Sequence, residues 1–261
     1  MMKKNCLLLS FLFLPAIIYA VELTSEQKNQ ARTVVFNYCI LLSDFARSSS
    51  YINNIGSIQN LFSGMNTSVY DDLKNKNDIL LTDYLTNITL DYNHSLTFSF
   101  ENINTTTVVS IEAPSPDKSS RKVYAEIEVE KTIDGPGFKR KKVKNVFLVS
   151  LDNNKIYGVF QQNPSPGQTS SSLMYAGLKY YKTKQYENAL ACFKKAGEMG
   201  ESEAMYYCGV MYFTNRGCNN ERDENGRRLN QSKRDAKAYE WYRKAAQRGH
   251  EEARRQIVIF Y

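Results

Sequence analysis

The chain has 261 residues, with 34 Lys and Arg against 27 Asp and Glu, and a formal net charge of +7. This positive charge is modest, and no face studded with Lys, Arg and interleaved aromatic residues indicates a nucleic-acid-binding protein. The only histidines are His94 and His250, and neither lies near two cysteines in the sequence, which argues against a zinc site. We therefore predict no metal and no other cofactor.

The first twenty residues have the pattern of a secretory signal peptide. Lys3 and Lys4 precede the apolar run 6–18, and the small residue Ala20 follows it. The run is too short to span a bilayer comfortably. We predict cleavage after Ala20 and an exported protein, periplasmic or secreted, with membrane association only if this segment is retained.

The next part of the chain predicts helices and then a series of strands. Residues 24–46 begin with a helix-capping pattern and carry apolar residues at helical spacing, and shorter helices are predicted over 51–62 and 69–76. The period then changes to two, which predicts strands over 95–102, 105–113, 122–133, 141–151 and 155–162. This order is typical of an α+β domain, in which the apolar face of a curved antiparallel sheet packs on the N-terminal helix.

Two stretches within this part resemble a known family. Residues 58–73, followed by 81–88 and the strand series, are similar to the NTF2-like domains of exported bacterial proteins. The resemblance covers about 22–162 and implies a bent sheet that forms a cone around a long helix. Such a cone often encloses a pocket, so the alternative function is a small-ligand-binding protein or an enzyme that uses this pocket.

Some relatives of that family are enzymes with an Asp/His pair in the pocket, which makes His94 a candidate together with Asp91 or Asp83. The local sequence 90–96 is, however, typical of a solvent-exposed polar turn that enters a strand. No nucleophile elbow, phosphate loop or carboxylate pair of diagnostic spacing occurs elsewhere in the sequence. We therefore predict no catalytic residues and a protein that is not an enzyme.

The last part of the chain is repetitive. At an offset of 49 residues, six positions of 189–204 recur in 238–253, and at an offset of 32, residues 175–180 match 207–212. The repeat predicts helices over 172–182, 185–198, 202–214, 233–247 and 251–261. The two offsets differ by 17 residues, which indicates an insertion within 214–233, predicted to be a surface loop.

The repeated positions resemble the Sel1-like repeat. The matching residues are Ala238, Trp241, Tyr242, Lys244, Ala245, Ala246, Gly249 and Ala253, with departures at Cys192, Gly197 and Val258. The resemblance covers about 173–261 and implies an all-α solenoid that serves as an adaptor for other proteins. The predicted domain order is therefore a signal peptide (1–20), the NTF2-like α+β domain (22–162), a Pro/Gly/Ser-rich linker (163–171) and the Sel1-like helical repeats (172–261).

The repeat register also predicts a partner-binding surface. Positions with packing roles keep their residue type between copies, whereas two neighbouring columns change chemistry from Leu and Met to Tyr and then Arg. Tyr, Met and Arg are enriched at interface centres, and an ordinary solvated face remains the alternative. The predicted binding residues are Met174, Met205, Tyr206, Arg254 and Arg255, and the insertion is the second candidate. The predicted function is binding of another protein. The sequence leaves open the identity of this partner, the oligomeric state and the disulfide state of Cys39, Cys192, Cys208 and Cys218.

Overall fold

A computed structural model of the chain describes residues 22–49, 54–64, 67–74, 78–103, 108–116, 122–161 and 169–260. The predicted signal peptide, residues 1–20, lies outside the described residues, as does most of the predicted linker 163–171. The elements in chain order are α1 (Ser25–Arg47), α2 (Asn54–Asn60), β1 (Ser68–Tyr70), β2 (Asp78–Leu80), α3 (Leu81–Leu90), β3 (Thr97–Glu101), β4 (Val108–Glu112), β5 (Val123–Gly135), β6 (Phe138–Ser150), β7 (Lys155–Gln161), α4 (Ser170–Lys182), α5 (Tyr186–Glu198), α6 (Ser202–Phe213), α7 (Gln231–Gln247), α8 (Glu251–Ile257) and a 3₁₀ turn (Val258–Phe260).

Helix α1 begins where the capping pattern predicts. The Thr24 hydroxyl accepts a hydrogen bond from the backbone N–H of Gln27, and the Gln27 side chain accepts one from the Thr24 backbone. This reciprocal pair satisfies two of the N–H groups that a helix start leaves free. The apolar stripe of α1 is buried against the sheet, including Val35, Leu42 and Phe45.

The seven strands that the structure describes form one mixed sheet in the order β2-β1-β7-β6-β5-β3, with β4 also paired to β5. Its centre is the antiparallel pair β5 and β6, whereas β1 runs parallel to β7. The helix predicted over 69–76 is wrong, because Val69 lies in an extended strand between Ile79 and Val159. Three residues are too few to show the alternation of apolar and polar side chains that identifies a strand. The strand β1 is established by its pairing with Ile79 and Val159.

Helices α4 to α8 form antiparallel neighbours, which we call the helical layer, and their bounds lie close to those that the repeat predicts. The connections α4–α5, α5–α6 and α7–α8 contain three residues each. Gly200 and Gly249 end α5 and α7 with φ of 101° and 88°, the left-handed conformation that favours glycine at a helix end.

The predicted fold class, an α+β domain followed by an all-α solenoid, is wrong. The structure is mixed α/β, with the seven-stranded sheet in the middle and helices at both ends of the chain. Helices α1 and α3 cover one face of the sheet, here called the inner face, and the helical layer covers the other, the outer face. Tyr124, Val146 and Phe160 of the outer face share a hydrophobic core with Tyr175 and Tyr207 of the helical layer. The outer face of the sheet provides an apolar surface, and the first helices of the helical layer bury it. The helical layer therefore packs on the sheet.

Candidate functional site

The predicted partner-binding residues do not form one open surface. Met174, Met205 and Tyr206 are 1%, 4% and 1% exposed, inside the core that the helical layer shares with the sheet. Arg254 and Arg255 are exposed on α8, where they pair with Glu251 and Glu252 one turn earlier. Tyr206 packs against Tyr207, Tyr242 and His250, and Met205 lies beside Gly197 of α5, so these side chains have packing roles inside the core.

A buried polar cluster lies at the junction between the sheet and the helical layer, centred on Glu203 in the first turn of α6. Its carboxylate accepts hydrogen bonds from Lys122 Nζ at 2.7 and 3.0 Å, from Tyr207 Oη at 2.6 Å and from Tyr124 Oη at 3.3 Å. The two tyrosine hydroxyls also contact each other at 2.8 Å. The same carboxylate lies 3.1 Å from His250 Nε2. We call these five residues the junction cluster.

His250 connects the junction cluster to helix α8. Its Nδ1 accepts a hydrogen bond from the backbone N–H of Ala253, which makes His250 the N-cap of α8. A nitrogen that accepts this bond carries no proton, so we assign the proton of a neutral ring to Nε2, where it is donated to Glu203. The Tyr206 ring stacks on the imidazole at 4.6 Å with the planes 17° apart and fixes its orientation.

The electrostatics of Glu203 follow from these contacts. Burial opposes ionisation of its carboxyl group, but the hydrogen bond from His250 and the charge of Lys122 outweigh that effect and lower the pKa to about 2. Burial and the adjacent Glu203 charge raise the pKa of Tyr124 and Tyr207 well above the usual tyrosine value. At neutral pH the junction cluster therefore holds an ionised carboxylate and neutral tyrosines. The donors to the carboxylate come from β5, α6, the segment before β5 and the N-cap of α8, so the cluster joins the sheet to the helical layer.

The inner face contains a second buried cluster, at the place where the predicted pocket would lie. Lys131 of β5 forms an ion pair with Asp72, and both side chains are almost completely buried. The Lys131 ammonium also donates to Tyr84 Oη at 2.8 Å, and this hydroxyl donates to Asp72 Oδ1 at 2.9 Å. The Lys131 ammonium lies 4.8 Å from the centroid of the Phe98 ring. The three polar groups thus satisfy each other, and packed side chains of α1, α3 and β3 surround them.

The structure does not bring together the candidate Asp/His pair. His94 lies in the predicted turn, but it is 5% exposed and not solvated. Its Nδ1 donates to the carbonyl of Phe45 at 2.6 Å. Asp91 forms an ion pair with Lys74, and Asp83 lies in the first turn of α3.

The connection between α6 and α7 differs from the other connections of the helical layer. It contains seventeen residues, 214–230, where each of the others contains three, and we call it the insertion. Gly217, with φ of 76°, lets its backbone lie against that of α5, since a Cβ atom at this position would meet the carbonyl oxygen of Tyr186 at 2.2 Å. Cys218 and Leu229 are buried and belong to the core of the helical layer.

Charged side chains hold the insertion to the helices on both sides. Glu221 accepts hydrogen bonds from Tyr212 Oη at 2.6 Å and from Lys194 Nζ at 3.4 Å, and Lys237 Nζ lies 3.4 Å from its other oxygen. Burial opposes ionisation of Glu221, but these three partners lower its pKa. The Arg216 guanidinium lies over the Tyr181 and Tyr186 rings, 5.5 Å from each centroid. The insertion is therefore an ordered surface element, and its tip, residues 222–228, extends from these anchors.

No family model, curated protein or solved structure matches the chain. Within the described ranges, no helix has the length and apolarity needed to cross a bilayer. The described residues also contain no group of three or more His, Cys, Asp or Glu side chains that would hold a metal ion. The four described cysteines, Cys39, Cys192, Cys208 and Cys218, are buried free thiols.

The sequence alone does not reveal the junction cluster, although one of its members gives a signal. Glu203 recurs as Glu252 at the offset of 49 residues, which is unusual for a charged residue among packing positions. The two copies have different surroundings, since Glu203 is buried and Glu252 pairs with Arg255 at the surface. A repeat preserves the residue and its place on the helix, but it does not indicate what packs against that place.

Proposed function

We propose that the protein is exported and binds a partner protein through the outer surface of its helical layer, with the insertion as the principal contact. This proposal rests on the length of the insertion. The connection between α6 and α7 contains seventeen residues, whereas each of the other three connections of the helical layer contains three residues. Long ordered loops on a rigid scaffold are a common location for binding residues, because their sequence is free of the constraints of the core.

The anchoring of the insertion supports the same function. Its base contributes Cys218 and Leu229 to the core, and Glu221 joins it to α5, α6 and α7 through three polar partners. A loop that is ordered before binding loses less conformational entropy when a partner binds. The anchors thus favour a recognition element over a simple spacer.

The alternative function, ligand binding or catalysis inside the sheet, has less support. The positions that would line the pocket contain packed apolar side chains, among them Phe98, Ile127 and Phe147, with exposed fractions of 1% or less. The polar groups among them, Lys131, Asp72 and Tyr84, already bind one another. We therefore retain protein binding as the proposed function.

Site-specific photo-crosslinking tests this proposal. A photoreactive amino acid replaces Asn225 at the tip of the insertion, and a matched variant carries it at Asn37, which is equally exposed on α1. Irradiation of cells that produce these variants should give a discrete adduct of higher mass from position 225 and none from position 37. An adduct from position 37 alone would move the contact to α1, and no adduct from either position would contradict the proposed function.

A further inference from the structure

We infer that the tip of the insertion binds an acidic segment of the partner protein through Arg222, Arg227 and Arg228. This inference rests on the proposed function and adds the chemistry of the partner to it. The three side chains are exposed on residues 222–228, a stretch that contains no apolar residue. Their guanidinium groups form no ion pair with any side chain in the part of the chain that the structure describes.

The backbone places two of these arginines opposite each other. Arg222 and Arg228 form an isolated antiparallel bridge, so their side chains extend from directly opposed positions. Side chains at such positions have Cβ atoms roughly 5 Å apart, and like charges there repel each other. An anion bound between the two guanidinium groups would remove this repulsion, and a carboxylate matches the forked donors of arginine.

The nearby acids Asp223 and Glu224 form ion pairs with Lys233 and not with the arginines. Lys233 of α7 donates to Asp223 Oδ2 at 2.7 Å and to Glu224 Oε1 at 2.8 Å. Asp223 Oδ1 accepts from the backbone N–H groups of Asn225 and Arg227, at 3.0 and 2.8 Å, which closes the turn at the tip. The hydrogen bonds from Lys233 and from the backbone lower the pKa of Asp223. The local acids thus build the turn, and the arginines remain available at its surface.

The distribution of charge along the sequence favours the same partner. Residues 169–261 contain 17 Lys and Arg against 11 Asp and Glu, whereas residues 22–161 contain 15 against 16. A net positive helical layer attracts acidic surfaces over a distance and increases the association rate. Basic segments also bind anionic lipids, but an interfacial element adds apolar side chains that insert into the bilayer, and those of the insertion, Cys218 and Leu229, are buried toward the helices.

Peptide binding measures this recognition directly. The probe is a short fluorescein-labelled peptide that alternates Glu and Ser, and the matched probe replaces every Glu with Gln. Fluorescence anisotropy of the full chain is recorded for the unmodified protein, for Arg222→Gln with Arg228→Gln, and for Arg254→Gln with Arg255→Gln. Both variants remove two exposed positive charges from the helical layer, but Arg254 and Arg255 are paired with Glu251 and Glu252, whereas Arg222 and Arg228 form no ion pair with a described side chain. Circular dichroism and thermal unfolding check that each variant folds as the parent does.

We expect the Glu peptide to bind and the Gln peptide not to bind. The Arg222/Arg228 variant should weaken binding by about tenfold or more, and the Arg254/Arg255 variant by less than about twofold. Replacing the same two residues with Lys should restore only part of the affinity, because lysine keeps the charge and loses the forked geometry. Equal losses in the two Gln variants would overturn the inference in favour of nonspecific charge attraction.

Two further outcomes would also overturn it. In the first, the protein binds phosphatidylglycerol vesicles in a way that depends on Arg222 and Arg228, and the Glu peptide does not bind. This result would identify a lipid surface as the ligand. The other is a crosslinked adduct from position 225 that persists unchanged in the Arg222/Arg228 Gln variant. In that case the proposed function stands and the acidic partner is rejected, whereas the absence of any adduct from position 225 or 37 when Arg222 and Arg228 are intact rejects the function itself.

Discussion

The two faces of the sheet are both covered by helices, but the covering differs in chemistry. On the inner face apolar side chains predominate, and the buried polar groups Lys131, Asp72 and Tyr84 bind one another. On the outer face, polar side chains of β5 meet polar side chains of the helices. Glu126 accepts hydrogen bonds from Tyr175 at 3.0 Å and from Lys179 at 2.8 Å, and the junction cluster continues this pattern.

This difference shows two ways to bury a sheet face. Apolar packing on the inner face is non-directional, and a set of residues of similar size would satisfy it. Hydrogen bonds on the outer face depend on direction and on specific partners, so they fix the position of the helical layer on the sheet. A buried polar contact that loses one partner is expensive for the fold, and the first three predictions use this property.

The largest effect is expected on the inner face, from Lys131→Met. This substitution leaves the ionised Asp72 buried without its counter-charge, which should lower the free energy of unfolding by about 3–5 kcal/mol. Chemical denaturation at neutral pH measures it. The double variant Lys131→Met with Asp72→Asn has no unpaired charge and should recover most of the loss. A double variant as unstable as the single one would show that the charge is not the cause.

A smaller effect is expected on the outer face, from Glu203→Gln. The amide cannot accept all the hydrogen bonds of the carboxylate, but Lys122 is 26% exposed and reaches water when its partner is lost. We therefore expect a loss of about 2–3 kcal/mol at neutral pH, measured by denaturation in urea. Removal of Lys122 by Lys122→Met is the matched change on the other side of the pair. A loss larger for Glu203→Gln than for Lys131→Met would reverse the comparison of the two faces.

The ionisation of Glu203 should make the free energy of unfolding depend on pH. The folded-state pKa of Glu203, about 2, lies below the unfolded value of roughly 4.3. Its contribution to stability is therefore complete above the unfolded pKa and is lost as the pH falls toward 2. The difference in unfolding free energy between the parent and Glu203→Gln should shrink between about pH 5 and pH 2.

Two neighbouring acids act in the opposite direction. Burial raises the pKa of Glu201 and Asp152, so their protonation favours the folded state as the pH falls. Both acids are present in the parent and in the Glu203→Gln variant, so much of their effect cancels in the difference. A difference that stays constant from pH 7 to pH 3 would contradict the assigned role of Glu203.

The smallest expected effect concerns packing within the helical layer. A Cβ atom at Gly209 of α6 would lie 2.5 Å from Tyr242 Cδ1 of α7, so Gly209→Ala should cost about 1–3 kcal/mol through overpacking. Gly56 of α2, on the inner side of the sheet, has no atom within 4 Å of the same position. Gly56→Ala should thus be neutral or stabilising by up to about 1 kcal/mol. Thermal unfolding compares the two, and equal shifts would show that α6 and α7 do not pack this closely.

The sequence was most informative where it repeats. Two copies with the same spacing of small and aromatic residues predict the helices from 170 to 257 almost to their ends. Periodicity also identifies the two faces of β5, because alternate side chains lie on opposite sides of a strand. It does not identify what covers each face. Tyr124 and Glu126 belong to a polar row, yet both are buried because Tyr175, Lys179 and Tyr207 provide matching groups.

The predicted binding surface shows the same limit. Met174, Met205 and Tyr206 are buried, and Tyr206 packs against Tyr207, Tyr242 and His250. Variation within a repeat therefore does not by itself indicate an exposed recognition surface. The insertion was predictable as a surface loop from the mismatch of the two offsets, but its buried anchors depend on residues far apart in the sequence.

His250 has a further consequence, for the order in which the chain folds. The junction cluster combines Lys122 with Glu203, 81 positions later, and with His250, a further 47 positions along the chain. Contacts between such distant positions form late, because closing the long intervening loop costs conformational entropy before the contacts contribute any stabilisation. Pulse-labelling hydrogen exchange during refolding should protect β5 and β6 before α8. The helices would then reach their final position on the sheet only after the segment that carries His250 has joined the cluster.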